Sequence, residues 1–407
     1  MNWANIFHIY QPTEQGVSIL KQVASQCYAP FFRFLKNNPQ IKITLNINAA
    51  LSEQLQKQKL GSIINNIRIL AKREQIEFTG SAAYHSILPL FNKDEIIRQI
   101  ELNYKINKKI FGNCYNPKGF FLPELCYNIK VAKIISQLGY RWIVLDEIAY
   151  NGKLGEAVFN KIYKIKETDL QAVFRNRNIS NLFFFDYVKS SSDFLQEIKK
   201  DKRCKNILIT ATDGENLGHH HPRMMEIWQK AVLQKGVKAI LISELLAKHK
   251  TIGKIEPLQS SWATSAKNIK NKNFYPLWKN LNNIIHKKQW KLLKIATDVV
   301  RNLNKEFIGY KDAVLSFDKS CLSCQFWWAS ASPWWDSGFV KFRAKKILNF
   351  INRYSADLET KNQAKNLYKQ IIETAKEWEK SGRIKRIQDA CLAGEKYQMY
   401  FSGRKIK

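Results

Sequence analysis

The chain has 407 residues, 45% of them hydrophobic and 12% aromatic, enough for one large core or two unequal ones, which excludes a small stapled scaffold. Lysine and arginine total 66 against 34 aspartate and glutamate, a formal net charge of +32, but the charges are spread among apolar segments, which excludes a basic tail. Seven cysteines scattered from Cys27 to Cys391 do not suit a disulfide framework and fit a reducing compartment. The opening MNWANIFH lacks a basic stretch leading into an apolar one, and no apolar run approaches the ~20 residues of a membrane helix, so a cytoplasmic protein is expected.

In chain order, short β-rich runs at 4–9, 41–47, 75–78, 119–122, 142–145, 182–185, 207–210 and 239–242 predict strands; in the second, Ile41, Ile43, Leu45 and Ile47 alternate with polar residues. Helical periodicity at 17–35, 63–72, 95–110, 129–138 and 224–234 falls between most of them. Strands alternating with helices imply a parallel sheet, and seven or eight units suit a closed (β/α) barrel. An open doubly wound sheet is the competing fold, though no Gly-x-Gly-x-x-Gly turn follows a strand. Beyond about residue 251 the pattern changes to long helical stretches at 277–303, 340–354 and 359–380. The expected organisation is therefore a barrel domain over 1–255 and an all-helical domain over 256–407.

In a parallel barrel the residues just past the strands' C-terminal ends converge on one mouth. Here they are His8 to Pro12, Gly80 to His85, Pro123 and Glu124, Asp146 and Glu147, and Asp213 to Asn216. One such carboxylate is commonly a helix cap or turn residue, and Glu124 and Asp213 each admit that reading alone. Five polar stops on one rim, with two histidines, several carboxylates and aromatics, fit a carbohydrate site.

The segments HIYQP at His8, SAAYHSILPL at Ser81, GFFLPELCYN at Gly119, ATDGENLGHHH at Ala211 and SCQFWWASASPWW at Ser323 resemble, in order, the motifs of glycoside hydrolase family 57. The resemblance implies an irregular seven-stranded (β/α) barrel followed by a helical bundle. It also implies retaining chemistry on α-linked glucan such as starch, glycogen or maltooligosaccharides, with no metal or other cofactor. By the same resemblance Glu124 stands at the position of the nucleophile and Asp213 at that of the general acid/base. His8, Gln11, Tyr84 and His85 would line the subsite of the transferred sugar. Retention needs such a pair, one carboxylate ionised to attack and one carboxylic acid protonated to release the leaving oxygen. Glu215 either faces substrate or raises the pKa of Asp213 as a like charge.

Trp262, Trp327 and Trp328 are candidate stacking platforms for sugar rings where the helical domain leans over the mouth, although aromatics more commonly fill cores. Arg175 and Arg177, in FRNRNIS, each read best as one partner of a structural salt bridge. Adjacent His219, His220 and His221 cannot readily point at one ion, whereas His8, His85 and Asp213 arriving from separate strands could. Cys321 and Cys324 have Cys-x-x-Cys spacing but lack a second pair, and are expected as buried helix residues. Two readings compete with the glycosidase: a metal-dependent polysaccharide deacetylase or hydrolase on a related barrel, and a non-catalytic basic protein that binds glycan or RNA. The richest basic segments, at 199–205, 286–294 and 403–407, contain no arginine-rich run with interleaved aromatics, so nucleic acid is not the expected partner.

Overall fold

A computed structural model describes residues 1–13, 15–184 and 188–392. Met1–Ala83 and Leu88–Trp262 form one compact unit; Tyr84–Ile87 and the described chain from Ala263 to Leu392 form the other.

The first unit is built on ten strands: β1 (Asn2–Ile9), β2 (Ile43–Ile47), β3 (Ile76–Gly80), β4 (Gly119–Phe121), β5 (Trp142–Asp146), β6 (Ile162–Ile165), β7 (Gln171–Arg175), β8 (Ile207–Asp213), β9 (Lys238–Ile240) and β10 (Thr251–Ile255). Hydrogen bonding orders them β10-β6-β7-β5-β4-β3-β2-β1-β8, with β9 on β1. Every pair is parallel except β6 with β7. β2 is buried throughout and β1 throughout after Asn2, the pattern of a parallel sheet covered on both faces. Strands β1, β2, β3, β4, β5, β7 and β8 curl into an irregular seven-stranded (β/α) barrel. Its seam lies between β7 and β8, where the Asn176 N–H donates to Ile209 O at 2.8 Å and the Arg175 Nη1 donates to Ala211 O at 2.7 Å.

The strand expected at 182–185 does not form over its described part, residues 182–184, which are a turn; Phe185 lies outside the described residues. β7, seven residues earlier at its end, takes that place in the barrel. The chain leaves the sheet after Arg175 because Asn176 caps a helix at Arg177–Asn181, its side chain accepting the Ile179 N–H at 3.0 Å. Residues 239–242 are a strand only to Ile240, since Ile242 opens a helix to Lys248. The helix predicted over 17–35 is interrupted by a π-helical turn, Ala24–Tyr28, just ahead of Pro30, which has no N–H for the regular ladder.

In the second unit the principal helices are Ile284–Asn302, Tyr310–Ser320, Ser337–Tyr354 and Leu358–Lys380, the first, third and fourth packing pairwise on one another. The first begins later than its periodicity suggests because Asn283 caps it, accepting the His286 N–H at 3.0 Å. Among the described residues no helix is long and apolar enough to cross a membrane.

Candidate active site

His8 on β1 lies in register with Asp213 on β8, so both side chains are delivered at the C-terminal ends of adjacent parallel strands. The His8 ring lies against Phe121 of β4, centroids 5.1 Å apart and planes 9° from parallel, and its Nδ1 is 2.6 Å from Asn46 Oδ1. The Asn46 Nδ2 donates to Thr79 Oγ1 at 2.9 Å and to Gly80 O at 3.5 Å, which fixes Oδ1 as the acceptor toward His8. His8 Nδ1 therefore carries the proton. Burial pulls the His8 pKa down to about 4, so the ring is neutral near pH 7 and Nε2 presents a lone pair that suits a hydroxyl donor.

Among the described residues no hydrogen-bond donor or cation is paired with the Asp213 carboxyl. Its pKa is pushed up to about 7, chiefly by burial, further by the negative charge of Glu215, and back down by Arg175. Asp213 also makes no capping bond to the turn that follows it. That turn lies hard against β1: a Cβ on Gly214 would fall 2.6 Å from Ile9 Cγ2, so only glycine lets 213–215 approach so closely. Glu215 is buried and turned inward, its Oε1 accepting from the Tyr10 N–H at 3.0 Å, from Gln11 Nε2 at 3.4 Å and from the Tyr28 hydroxyl. Tyr28 ends the π-helical turn. Burial raises the Glu215 pKa while these donors pull it back.

Glu124 follows β4 in a left-handed conformation, φ 58° and ψ 18°, and Leu125 after it also has positive φ, 47°. Such backbone costs of order 1 kcal/mol per residue outside glycine and persists only where the surroundings enforce it. The enforcement comes from the end of the first unit: the Trp262 N–H donates to Glu124 O at 3.2 Å, and Tyr127 and Ser260 exchange backbone bonds at 2.8 and 3.3 Å. The helix cap considered for Glu124 is supplied by Asn128, which accepts the Val131 N–H. Trp262 sets its ring edge-on to Phe121 at 6.3 Å and lies under the Arg175 guanidinium at 5.3 Å.

Asp146, at the end of β5, is fully buried between two arginines, accepting from Arg175 Nε at 2.7 Å and Arg177 Nε at 2.8 Å. The two guanidinium charges hold its carboxyl below the usual range despite burial. Arg177 also reaches Ser261 O, so this ion triad ties β5, β7 and the 260–262 segment together. Residues that sequence reasoning did not single out for the site are Asn46, Phe121 and Tyr28. A polar Asn inside the apolar β2 was the available signal for the first; the other two read as ordinary core aromatics.

His8, Gln11, Glu124, Asp213, Glu215 and Trp262 thus belong to the first unit, and Tyr84, His85, Trp327 and Trp328 to the second. There, His85 is buried at φ 55° with Nδ1 2.8 Å from Ser323 Oγ, and Tyr84 is buried beneath the Lys319 ammonium. Trp328 is a core residue stacked on Phe339 at 4.4 Å. Trp327 stacks on Trp334 at 5.3 Å, and the indole most open to solvent in this segment is Trp334. Cys321 and Cys324 flank a helix junction, the first just past Tyr310–Ser320 and buried as expected, the second opening Cys324–Trp327 and only half-buried. His219 bonds Gln26, and among the described residues no three His, Cys, Asp or Glu side chains are grouped to hold a metal ion.

The sequence profile of glycosyl hydrolase family 57 matches residues 3–257, and the chain belongs to that family. It is 23% identical over 240 residues to a 4-alpha-glucanotransferase of Thermococcus litoralis, covering 58% of this chain and 36% of that protein. To an alpha-amylase of Pyrococcus abyssi it is 22% identical over 258 residues, 60% of this chain and 39% of the relative. The chain thus spans little more than a third of the length of these two relatives. The fold is similar to that of a family 57 branching enzyme from Pyrococcus horikoshii, with TM-score 0.70 and 15% identity over 92% of this chain and 96% of the other.

Proposed function

We propose that the protein is a retaining enzyme acting on α-linked glucan, with Glu124 as nucleophile and Asp213 as general acid/base. The observation that carries the reading is the Asp213 carboxyl: it sits at a strand end, has no donor among the described residues, and is poised near 7. A group so poised gives a proton in one step and takes one in the next at ordinary pH. Glu124 attacks the anomeric carbon as the glycosidic bond breaks, and the leaving oxygen takes the Asp213 proton. The resulting Asp213 carboxylate removes a proton from water or from an acceptor sugar hydroxyl, whose oxygen attacks the same carbon and releases Glu124. Water makes the protein a hydrolase and a sugar makes it a transferase. Neutral His8 accepts a hydrogen bond from a sugar hydroxyl at Nε2, and the partly exposed Trp262 suits the apolar side of a ring, while the buried Phe121 backs the His8 imidazole.

In the second unit we assign Tyr84, His85 and Trp327 to sugar binding. Gln11 acts through Glu215, which it donates to. A cytoplasmic enzyme handling intracellular α-glucan agrees with the free cysteines.

The test is trapping with a fluorinated α-glucosyl donor, followed by peptide mass spectrometry. A glucosyl adduct on the Glu124 peptide, absent from the Glu124→Gln variant, is expected. No adduct, together with no binding of maltooligosaccharide to folded Asp213→Asn protein, would refute the assignment.

A further inference from the structure

A second concavity lies at the other end of the first unit's strands. Its volume is about 770 Å³, within the range of small-molecule sites. One wall is a face of the helix Ser191–Lys200, where Ser192, Leu195 and Lys199 recur at helical spacing; the others are Lys202 and Lys205, just before β8, and Lys235, just before β9. β8 is seven residues long, so at about 3.3 Å per residue this cavity is about 20 Å from Asp213.

Four lysines from three separate segments line one hollow, and none of them has a carboxylate partner among the described residues. The only acid among the described lining residues, Asp201, is already neutralised: its Oδ2 accepts from Arg203 Nη2 at 2.6 Å and from Asn176 Nδ2 at 2.8 Å. Lysines in a helix's last turn complement its dipole, which accounts for Lys199, while the neighbouring Lys200 is paired with Glu197. The dipole does not account for Lys205 and Lys235, which belong to no helix. Like charges gathered around one concave surface focus a positive potential that draws in an anion. Among the described residues no aromatic side chain lines the cavity to offer a platform for a nucleobase. Ser192 and the lysine ammoniums are donors suited to phosphate oxygens approached singly rather than in bidentate pairs.

The geometry points to a binding site for a small, multiply charged phosphate compound at this cavity, remote from the carboxylates at the strands' other ends. Whether the phosphates are inorganic or carried on a sugar, the lysine cluster reads the same chemistry.

Isothermal titration of the whole chain with tripolyphosphate and with fructose 1,6-bisphosphate, at about 20 mM and about 150 mM salt, tests it. Saturable one-to-one binding is expected, weakening by tenfold or more at the higher salt. Equal affinity for the two probes assigns recognition to phosphate alone; tighter binding of the bisphosphate that falls in Ser192→Ala assigns it to the sugar ester. The double variant K202E/K205E should lose at least tenfold in affinity. A second double variant, K287E/K291E, makes the same charge change on the exposed face of the helix Ile284–Asn302 and should lose less than twofold. Melting curves identify any variant that fails to fold, in which case K202Q/K205Q replaces it. Absence of binding at low salt, or equal losses in the two double variants, would overturn the proposal, the latter by showing that the net charge alone attracts the anion.

Discussion

Replacing Glu215 by glutamine isolates the electrostatic pressure on Asp213. Oε1 of Glu215 is the atom that accepts from Tyr10, Gln11 and Tyr28, so the amide oxygen keeps those bonds and only the charge is removed. The Asp213 pKa stands at about 7 against an ordinary 3.8, with burial the largest cause, Glu215 the next and Arg175 opposing both. Assigning Glu215 about one unit of that rise, about 1.4 kcal/mol, moves the alkaline limb of kcat down by about one pH unit. At pH 7 the protonated fraction falls from about a half to about a tenth, so kcat drops about fivefold, while at pH 5 it is almost unchanged. Stability moves in a linked way. Both carboxyls hold protons in the folded protein at pH values where the unfolded chain has lost them, so wild-type stability declines as pH rises from about 4 through 7. The glutamine variant should decline less steeply. The assay is a pH profile of an aryl α-maltooligoside, paired with urea unfolding across the same range. An alkaline limb that stays near 7 with unchanged kcat would refute the idea that Glu215 charges the acid.

Glu124→Gln should remove turnover with no more than a small change in melting temperature, and Glu124→Gly should remove turnover while stabilising the protein by about 0.5–1 kcal/mol, since glycine adopts positive φ freely; differential scanning calorimetry reads both. Asp146→Ala leaves two buried arginines without their common anion and should cost about 3–5 kcal/mol in urea unfolding, with an exposed acid such as Glu226 as the control substitution. Asn46→Leu removes the acceptor that holds the His8 proton on Nδ1. With the other tautomer freed, kcat/KM should fall about tenfold and chiefly through KM, the cost of about one hydrogen bond to substrate.

The alternation of strands and amphipathic helices made the barrel readable, because β1, β2, β5 and β8 are short runs rich in apolar residues, with the polar ones interspersed, and each is followed by polar residues at its C-terminal end. That same logic located His8, Glu124 and Asp213 at strand ends without any knowledge of contacts. What stayed hidden has physical reasons. β7, QAVFR, ends at Arg175, and Arg177 opens the helix that follows; their common partner Asp146 comes from a strand about thirty residues away. A spacing argument has no access to such a pairing, and the more apolar 182–184 segment attracted the strand assignment instead. β10 carries Gly253 and is exposed for most of its length, so its pattern carries no burial signal. The left-handed backbone of Glu124 is equally silent, since nothing in PEL marks it; tertiary bonds from 260–262 impose it.

Arg175 fastens the β7–β8 seam through Ala211 O, only two residues before Asp213, and it also lowers that acid's pKa. One guanidinium therefore contributes both to closing the barrel and to setting the Asp213 carboxyl. A substitution there cannot adjust the working pH without loosening the wall, nor tighten the wall without moving the working pH. For anyone redesigning the protein, the independent control lies on the other flank of Asp213, with Glu215 and its three donors, where charge can be altered while the strands stay joined.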